Sequence, residues 1–344
     1  MKFRIKCAAL LCAAVMLSSL CACSGEEMEE YYENSYDTGT DVISVHFAYD
    51  TMEEDAEGEK IYFTDSELEE IFTECCSIYA DALRAVDHTD PSSILYEINQ
   101  PVNAVFDVDT EIAELLDRAL TIAGVTDGYY QPVFGSVIQL LEDNPQPEQT
   151  LLEEALAHTG TDKITVEGTS VYKTDPLSQV DLTTLGNGYA LEKMIAYLEE
   201  SPVAYGFVTL GNSAGVFGTK PEEEPFEIGI LSDGDSEAIE GYIHTSAGYV
   251  FVASDALGGA VNYSDGSPAD SDLAKVAVLA EDAVAADALA QALYAMGYEA
   301  AQELYASEEI SFEAVFFLDD GTVEVTDGAY RAGIYDPTSG NMEA

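Results

Sequence analysis

The sequence predicts an α+β fold, because helical patterns dominate its first half and short strand patterns dominate its second half. A regular alternation of strand and helix, which would indicate a parallel sheet, is not present. From residue 38 onward no long linker interrupts the pattern. We therefore expect one two-lobed unit over residues 38–335, with a mixed or antiparallel sheet and packed helices, followed by a tail over 336–344.

The N-terminal pattern is typical of a bacterial lipoprotein. Basic residues precede a short apolar run, and Leu20, Ala22 and Cys23 match a lipobox. These features predict a signal peptide over residues 1–22, a lipid on the sulfur of Cys23, and anchoring at the extracytoplasmic face of the cell membrane. Residues 23–37 are polar and acidic, which indicates a solvated tether. An ordinary secreted protein and an uncleaved anchor are the alternatives.

The first predicted elements are a turn and a strand within residues 36–50, then an acidic loop over 52–60. Thr64 and Glu67 have the spacing of a capping box, and apolar residues then repeat at helical spacing as far as Val86. Pro91 ends that helix region. Further helices are predicted from about 109 to 124 and from about 148 to 158, with short strands at 163–166 and 171–173.

The second half is predicted to begin with a helix after residue 188 and to continue mainly as strands. A hairpin, "AVFFL" and "TVEVT" around "DDG", closes the fold. The other strands are expected near 205–210, 215–218, 226–231, 242–246, 249–253 and 274–280, with helices at 282–297 and 298–306.

The charge of the chain limits what it can bind. A formal net charge of −54 excludes nucleic acid as a partner and repels anionic substrates. A phosphorylated ligand therefore needs a cation, backbone N–H groups, or both. The four histidines and the cysteines show no zinc-type spacing.

Two stretches could form such a site. In "DLTTLGNGYALEKM" (181–194), a β-leaning run reaches Asp181, and a Gly-Asn-Gly break precedes a helix. The N–H groups at a helix start favour phosphate, although a plain turn is the alternative. In "AVAADALAQALYAMG" (283–297), Asp287 and Gln291 share one helix face. A carboxylate among alanines needs a partner, either Mg²⁺ or a local donor or ion pair.

Together with "TDGYYQPVFG" (126–135), "LGNSAGVFGTKPEEEPFEIGI" (210–230) and "HTSAGYVF" (244–251), these stretches resemble the ApbE family, the FAD:protein FMN transferases. The resemblance covers about residues 36 to 297. "DTGTDVISVHFAY" is similar to the family's Met-Gly-Thr segment, and "DLTTLGNGYA" is similar to Asp-Leu-Gly-Gly-Ile-Ala-Lys-Gly-Tyr-Ala. "AADALAQALYAMG" is similar to the family's Ala-Asp-Ala-Leu-Ala-Thr-Ala helix.

The resemblance implies a reaction and a set of residues. FMN would pass from FAD to a threonine hydroxyl of an extracytoplasmic redox protein, with Mg²⁺ bound and AMP released. Asp265 and Asn262 would take the catalytic positions. The metal would take Gly186, Asp287 and Gln291. The FAD-binding positions would be Thr38, Thr40, Tyr129, Tyr130, Gln131, Asp181, Asn187, Gly188 and Ser246.

The chain departs from the family pattern at several of these positions, including Gln131 where the family has aspartate. Asn187 stands where the family has lysine, Gln291 where it has threonine, and Asn262 where it has histidine. The alternative function is therefore a catalytically degenerate relative that binds flavin or has a structural role. A substrate-binding lipoprotein would require two similar lobes and a hinge, which the pattern does not show.

Overall fold

In the computed structural model, the described residues are 30–49, 53–54, 60–61, 63–102, 104–233, 235–257 and 261–337. The predicted signal peptide, Cys23 and the first part of the predicted tether lie outside them. The helices are α1 (Asp65–Val86), α2 (Ile94–Ile98), α3 (Thr110–Val125), α4 (Gly135–Asp143), α5 (Gln149–Leu156), α6 (Gly186–Glu200), α7 (Ala283–Met296), α8 (Tyr298–Ser307) and α9 (Asp327–Ala332). The strands are β1 (Glu30–Asp37), β2 (Val42–Tyr49), β3 (Glu53–Glu54), β4 (Lys60–Ile61), β5 (Val105–Asp107), β6 (Ile164–Glu167), β7 (Ser170–Lys173), β8 (Tyr205–Leu210), β9 (Ser213–Gly218), β10 (Phe226–Ser232), β11 (Asp235–Thr245), β12 (Gly248–Ser254), β13 (Leu273–Ala280), β14 (Glu313–Leu318), β15 (Val323–Val325) and β16 (Tyr335–Pro337).

An eight-stranded sheet organises the fold, in the order β1-β2-β8-β9-β12-β13-β14-β15. Its neighbouring strands are all antiparallel, and most of them are also neighbours in sequence. Short hairpin connections favour this arrangement. The α+β class with an antiparallel sheet is therefore confirmed.

Both faces of the large sheet are covered, which is why every residue of β8 is buried. The small sheet β10-β11-β16 packs on one face, where Phe207 and Val216 meet Phe226 and Ile228. Helices α1, α6 and α7 cover the other face and form the main core with β2, β8 and β9. No helix within the described residues is both long and apolar enough to span a membrane.

The start of α1 agrees with the capping box predicted from the sequence. The Thr64 side chain accepts a hydrogen bond from the Glu67 backbone N–H, and the Glu67 carboxylate accepts one from the Thr64 N–H. Two of the unpaired N–H groups at the helix start are satisfied in this way. The helix then buries one apolar face, including Leu68, Phe72 and Cys75, against the sheet.

Helices α6 and α7 cross at very short range because α6 has a glycine at the crossing. A Cβ atom on Gly188 would lie only 2.8 Å from the carbonyl oxygen of Ala283 and 3.0 Å from Cβ of Asp287. The alanine-rich face of α7 provides the matching small surface. This approach brings the N-terminus of α6 against Asp287, and so it assembles the candidate site.

The structure differs from the sequence prediction at both ends of the predicted unit. Residues 30–37, expected as tether, form β1, which pairs with β2 along its whole length. Residues 335–337 form β16 on β11, where a tail was expected from 336. Both segments are stabilised by backbone pairing with another strand, and their polar composition does not reveal it. Helices α2, α4 and α9 are also absent from the prediction, because each is too short to show a clear periodicity.

A buried lysine supports the third sheet, β5-β7-β6, and gives a testable pH dependence. Lys173 is 3% exposed, and its Nζ donates to the carbonyl oxygens of Ile98 and Gln100, each at 2.9 Å. Burial lowers the pKa of Lys173 from 10.5 to about 8. Between these values the unfolded chain binds more protons than the folded chain at this residue, so its contribution to folding stability increases with pH in this range.

We therefore expect wild type to become more stable relative to a Lys173→Met variant as the pH is raised from 7 towards 10, as measured by urea unfolding. Lys220→Met serves as the control, because Lys220 Nζ makes a hydrogen bond at the surface. A stability difference between wild type and Lys173→Met that stays constant across this range would contradict the expectation.

Candidate functional site

The centre of the candidate site is Asp287, one turn into α7. The residue is 8% exposed, and its Oδ2 accepts a hydrogen bond of 2.9 Å from the backbone N–H of Gly188. Gly188 lies in the first turn of α6, where N–H groups have no partner within the helix. A negative charge is also favoured at the positive end of the α6 dipole. The sequence-predicted pair of stretches, 181–194 and 283–297, therefore meets at this point.

Asp287 is a buried acid, and its surroundings favour positive charge. Within the described residues, no lysine, arginine or histidine forms an ion pair with it. Burial raises the pKa of Asp287 to about 7, while the hydrogen bonds from Gly188 and Gln291 act in the opposite direction. A carboxylate in such a place is stabilised by a proton or by a bound cation. The site can therefore accept positive charge.

Gln291 lies one turn after Asp287 and covers it from the solvent side. Its Nε2 donates to Asp287 Oδ1 at 3.0 Å and to the backbone oxygen of Thr184 at 3.0 Å. A third, longer contact of 3.3 Å reaches the Asp287 carbonyl oxygen. Gln291 is half-buried and Thr184 is exposed, so this cluster lies at the boundary with solvent.

Asp181 forms the second buried carboxylate of the site. It is 6% exposed, its N–H donates to the carbonyl of Pro132 at 2.8 Å, and its Oδ1 accepts from the N–H of Thr183 at 2.9 Å and from the Thr183 hydroxyl at 2.5 Å. His88 Nδ1 lies 3.7 Å from Asp181 Oδ1. Among the described residues this buried nitrogen has no hydrogen-bond partner. It is therefore available to a ligand.

An aromatic wall connects the two carboxylates. Tyr130 is 1% exposed and contacts the ring of Tyr263 edge-on, with centroids 6.4 Å apart, and Tyr263 contacts Phe134 at 4.8 Å. Burial raises the pKa of Tyr130 well above its usual value, nearby Tyr263, Asp287 and Asp181 raise it further, and the nearby Thr184 side chain acts in the opposite direction. The Tyr130 hydroxyl has no hydrogen-bond partner in the described part of the chain. A buried polar group in this state needs a donor or an acceptor from a ligand.

The predicted catalytic residues, Asn262 and Asp265, lie in the loop that carries Tyr263. Asn262 Oδ1 accepts from the N–H and hydroxyl of Ser264, at 3.0 and 2.6 Å. Asp265 Oδ1 accepts from the N–H and hydroxyl of Ser267, at 2.9 and 2.7 Å. The Ser267 hydroxyl, followed by its N–H, lowers the pKa of Asp265. Both side chains thus stabilise turns, and their catalytic role stays a prediction.

Four other predicted residues lie at the start of α6 or in the loop that contains Tyr130. Asn187 is the half-buried second residue of α6, and Gly186 is its first. Tyr129 is exposed, whereas Gln131 Oε1 accepts from the N–H of Val133 at 3.2 Å and shapes the loop beside Tyr130.

Three of the predicted residues lie in turns between strands. Thr38 and Thr40 bond to each other at 3.1 Å in the β1–β2 turn, which also contains Asp41. Ser246 is exposed in the turn between β11 and β12. Their roles, like those of the other site residues, stay predictions.

The oxygen atoms around Asp287 suit a hard cation such as Mg²⁺. The Asp287 carboxylate and the Thr184 carbonyl oxygen both lie 3.0 Å from the same Gln291 nitrogen, and the Gln291 side chain also carries a carbonyl oxygen. The described contacts bring the Thr184 carbonyl to this point, and the role of the Gly186 carbonyl stays a prediction. No cluster of three or more His, Cys, Asp or Glu side chains occurs within the described residues. A cation here would therefore depend on Asp287 and on neutral oxygens.

Thr184, His88 and Tyr263 were not identified as site residues from the sequence. Thr184 contributes a backbone oxygen, which any residue type would supply, and its side chain lowers the pKa of Tyr130. His88 lies in the loop that ends α1, 93 positions before Asp181. A signal did exist for Tyr263, because it lies between the two predicted catalytic residues.

A sequence profile described as the ApbE family matches residues 51–316. The FAD:protein FMN transferase of Haemophilus influenzae is 26% identical over 257 residues, which cover 68% of this chain and 74% of the relative. The FAD:protein FMN transferase of Vibrio cholerae is 24% identical over 243 residues, covering 66% and 73%.

Solved structures show the same fold. The flavin transferase ApbE from Vibrio cholerae superimposes with a TM-score of 0.72 at 20% identity, and covers 88% of this chain and 99% of its own. The ApbE protein from Thermotoga maritima gives a TM-score of 0.72 at 22% identity, with the same coverage. The apo form of the flavinyl transferase ApbE from Pseudomonas stutzeri gives 0.73 at 18% identity, and covers 89% of this chain and 97% of its own.

Proposed function

Because the chain belongs to the ApbE family, we propose that it is a FAD:protein FMN transferase. The observation that carries the proposal is the contact between the first turn of α6 and Asp287. This contact places a buried carboxylate next to helix-start N–H groups, which is what a pyrophosphate bridged by a cation requires. The Tyr130 hydroxyl and His88 Nδ1 are buried polar atoms that a bound FAD would satisfy, and Asp181 lies 3.7 Å from His88 Nδ1.

In the proposed reaction, FAD is a substrate. The hydroxyl oxygen of an acceptor threonine attacks the phosphorus of the FMN half. The bond between this phosphorus and the bridging oxygen breaks, AMP leaves with that oxygen, and the hydroxyl proton is released. Positioning and charge stabilisation supply most of the rate enhancement in phosphoryl transfer. Asp265 and Asn262 remain our candidates for the catalytic positions.

We propose Mg²⁺ as the cofactor, held by Asp287 and the oxygens of Gln291 and the neighbouring backbone. When bound, the cation would neutralise charge on the pyrophosphate. The residues of the chain would hold and orient the two substrates. The positive end of the α6 dipole favours the phosphates, and the aromatic wall of Tyr130, Phe134 and Tyr263 excludes water from one side.

For location, we propose that a lipid on Cys23 anchors the protein at the extracytoplasmic face of the membrane. The lipobox pattern supports this proposal, and the acceptor would then be a redox protein on the same side. Metabolic labelling with an alkyne fatty acid should mark the wild type and not Cys23→Ala. Equal labelling of both proteins would reject Cys23 as the lipid site.

The test of the activity is direct transfer. The protein without residues 1–22 is mixed with FAD, Mg²⁺ and candidate acceptor domains, and the denatured acceptors are examined for flavin fluorescence. We expect covalent flavin on an acceptor and stoichiometric AMP. A family enzyme of demonstrated activity is the positive control. If that enzyme labels the acceptors and this protein labels none, the transferase proposal is rejected.

The substitution at Asn187 gives a second test. A lysine placed ~4 Å from a phosphate oxygen contributes about 4 kcal/mol at an effective dielectric of ~20. We therefore expect Asn187→Lys to bind FAD more tightly than wild type in calorimetric titrations, with an increase that weakens at high salt. Ala196→Lys adds the same charge on the exposed face of α6 and is the matched control. Equal FAD affinity in Asn187→Lys and wild type would show that Asn187 does not face the pyrophosphate.

A second candidate function is a relative that binds flavin without transferring it. The turn roles of Asn262 and Asp265 favour it, because both side chains already have hydrogen-bond partners. This alternative predicts that FAD is bound and recovered intact, with no AMP released. Release of AMP in step with acceptor labelling would exclude it.

A further inference from the structure

The Gln291 amide nitrogen lies among three oxygen atoms beside Asp287. It is 3.0 Å from Asp287 Oδ1 and 3.0 Å from the Thr184 carbonyl oxygen, and 3.3 Å from the Asp287 carbonyl oxygen. All three neighbours are acceptors. A positively polarised N–H group therefore occupies the centre of an oxygen cluster, as a metal ion would.

The neighbourhood determines how the carboxamide is oriented. With the opposite orientation, the Gln291 carbonyl oxygen would face the Asp287 carboxylate and the Thr184 carbonyl, and three negative atoms would meet without a donor. A cation between them, or a proton on Asp287, would make that arrangement favourable. With Asp287 ionised, the two orientations thus correspond to a site without a cation and a site with one.

Gln291 also closes the route to Asp287 from solvent. Asp287 is buried, whereas Gln291 is half-buried one turn further along the same face of α7. On the other side, Asp287 is closed by Gly188, whose N–H holds Oδ2. An incoming cation must therefore displace or turn the Gln291 amide.

We propose that the Gln291 carboxamide acts as a built-in substitute for the cation, so that this chain binds free divalent cations more weakly than the same chain without the amide. The inference rests on the proposed function only in taking Asp287 as the cation-binding carboxylate. It assigns to the Gln291 amide competition with the cation for Asp287, in addition to the predicted role of Gln291 as a metal ligand.

The experiment measures cation binding without FAD or acceptor. Mn²⁺ is titrated into the protein lacking residues 1–22, and free Mn²⁺ is followed by electron paramagnetic resonance. We expect Gln291→Ala to bind Mn²⁺ about tenfold more tightly than wild type, the order set by removing one hydrogen bond to a charged carboxylate. Mg²⁺ should raise the melting temperature of Gln291→Ala and have little effect on wild type.

Three further variants test whether a gain in Mn²⁺ affinity comes from removing the Gln291 amide. Gln291→Ser should show the same gain in Mn²⁺ affinity, and it keeps the test valid if Gln291→Ala fails to fold. Asp287→Asn combined with Gln291→Ala should lose the gain. Gln302→Ala, which truncates a half-buried glutamine on α8, should behave as wild type.

Equal or weaker Mn²⁺ binding by both Gln291 variants would overturn the inference and show that Gln291 is only a ligand or a structural residue. The outcome is independent of catalysis. A gain in Mn²⁺ affinity without flavin transfer would leave this inference standing and reject the proposed function. Flavin transfer without a gain in Mn²⁺ affinity would reject this inference and leave the proposed function standing.

Discussion

Asp287→Asn is expected to reduce FMN transfer on the order of 10²–10³-fold, the usual result of losing a preorganised charged group at a developing charge. Asparagine has nearly the same shape and can still accept the Gly188 N–H bond of 2.9 Å. It lacks the negative charge that a cation on the pyrophosphate requires. A buried amide is desolvated at lower cost than a carboxylate, which offsets the loss of the hydrogen bond that Gln291 Nε2 donates to Oδ1, so the variant should melt near the wild-type temperature.

The combination of retained stability and lost activity is what distinguishes a site residue from a structural one. Initial transfer rates and melting curves of the same preparations measure the two effects. Glu281→Gln, which removes an exposed charge just before α7, is the matched control and should keep full activity. An Asp287→Asn variant with the wild-type rate would refute the assignment of Asp287 to the cation.

Gly188→Ala is expected to lower both stability and transfer. The new Cβ would lie 2.8 Å from the Ala283 carbonyl oxygen and 3.0 Å from Cβ of Asp287, and neither is the free end of a flexible side chain. Helix α7 must therefore move away from α6, which lengthens the hydrogen bond from Gly188 to Asp287. Overpacking of this kind typically costs about 1–3 kcal/mol. The same displacement should reduce the transfer rate, because the helix start and Asp287 separate.

The control for this prediction is Gly124→Ala. Gly124 lies near the end of α3, and a Cβ there meets no atom within 4 Å. Alanine should stabilise this position by ~0.5–1 kcal/mol, because it restricts the unfolded chain. In urea unfolding, the free energy of unfolding should thus fall below the wild-type value in Gly188→Ala and rise above it in Gly124→Ala. A Gly188→Ala protein as stable and as active as wild type would show that the two helices are not held at this distance.

The helices and hairpins of the fold were largely predictable. The apolar spacing from Leu68 to Val86 predicted α1, and the Thr64 and Glu67 pair predicted its start. The "DDG" turn predicted the β14–β15 hairpin. These elements depend on local periodicity and capping, so a short window of sequence is sufficient. In contrast, β1 and β16 become strands only by pairing with β2 and β11.

The site was predictable in part for the same reason. Asp287 and Gln291 are four positions apart on one helix, so their contact of 3.0 Å follows from helix geometry. The contact of Asp287 with Gly188 joins positions 99 apart, and that of His88 with Asp181 joins positions 93 apart. Here only the resemblance to a known family indicated which stretches meet.

The sequence by itself determined the fold class, the family resemblance, the extreme negative charge and the helix face that carries Asp287. The tertiary structure decided that Asp287 is buried, that no described lysine, arginine or histidine forms an ion pair with it, and that the Gln291 amide lies between it and the Thr184 carbonyl. The physical reason is that periodicity and capping act within a few residues. Burial and charge environment depend on atoms brought together from distant parts of the chain.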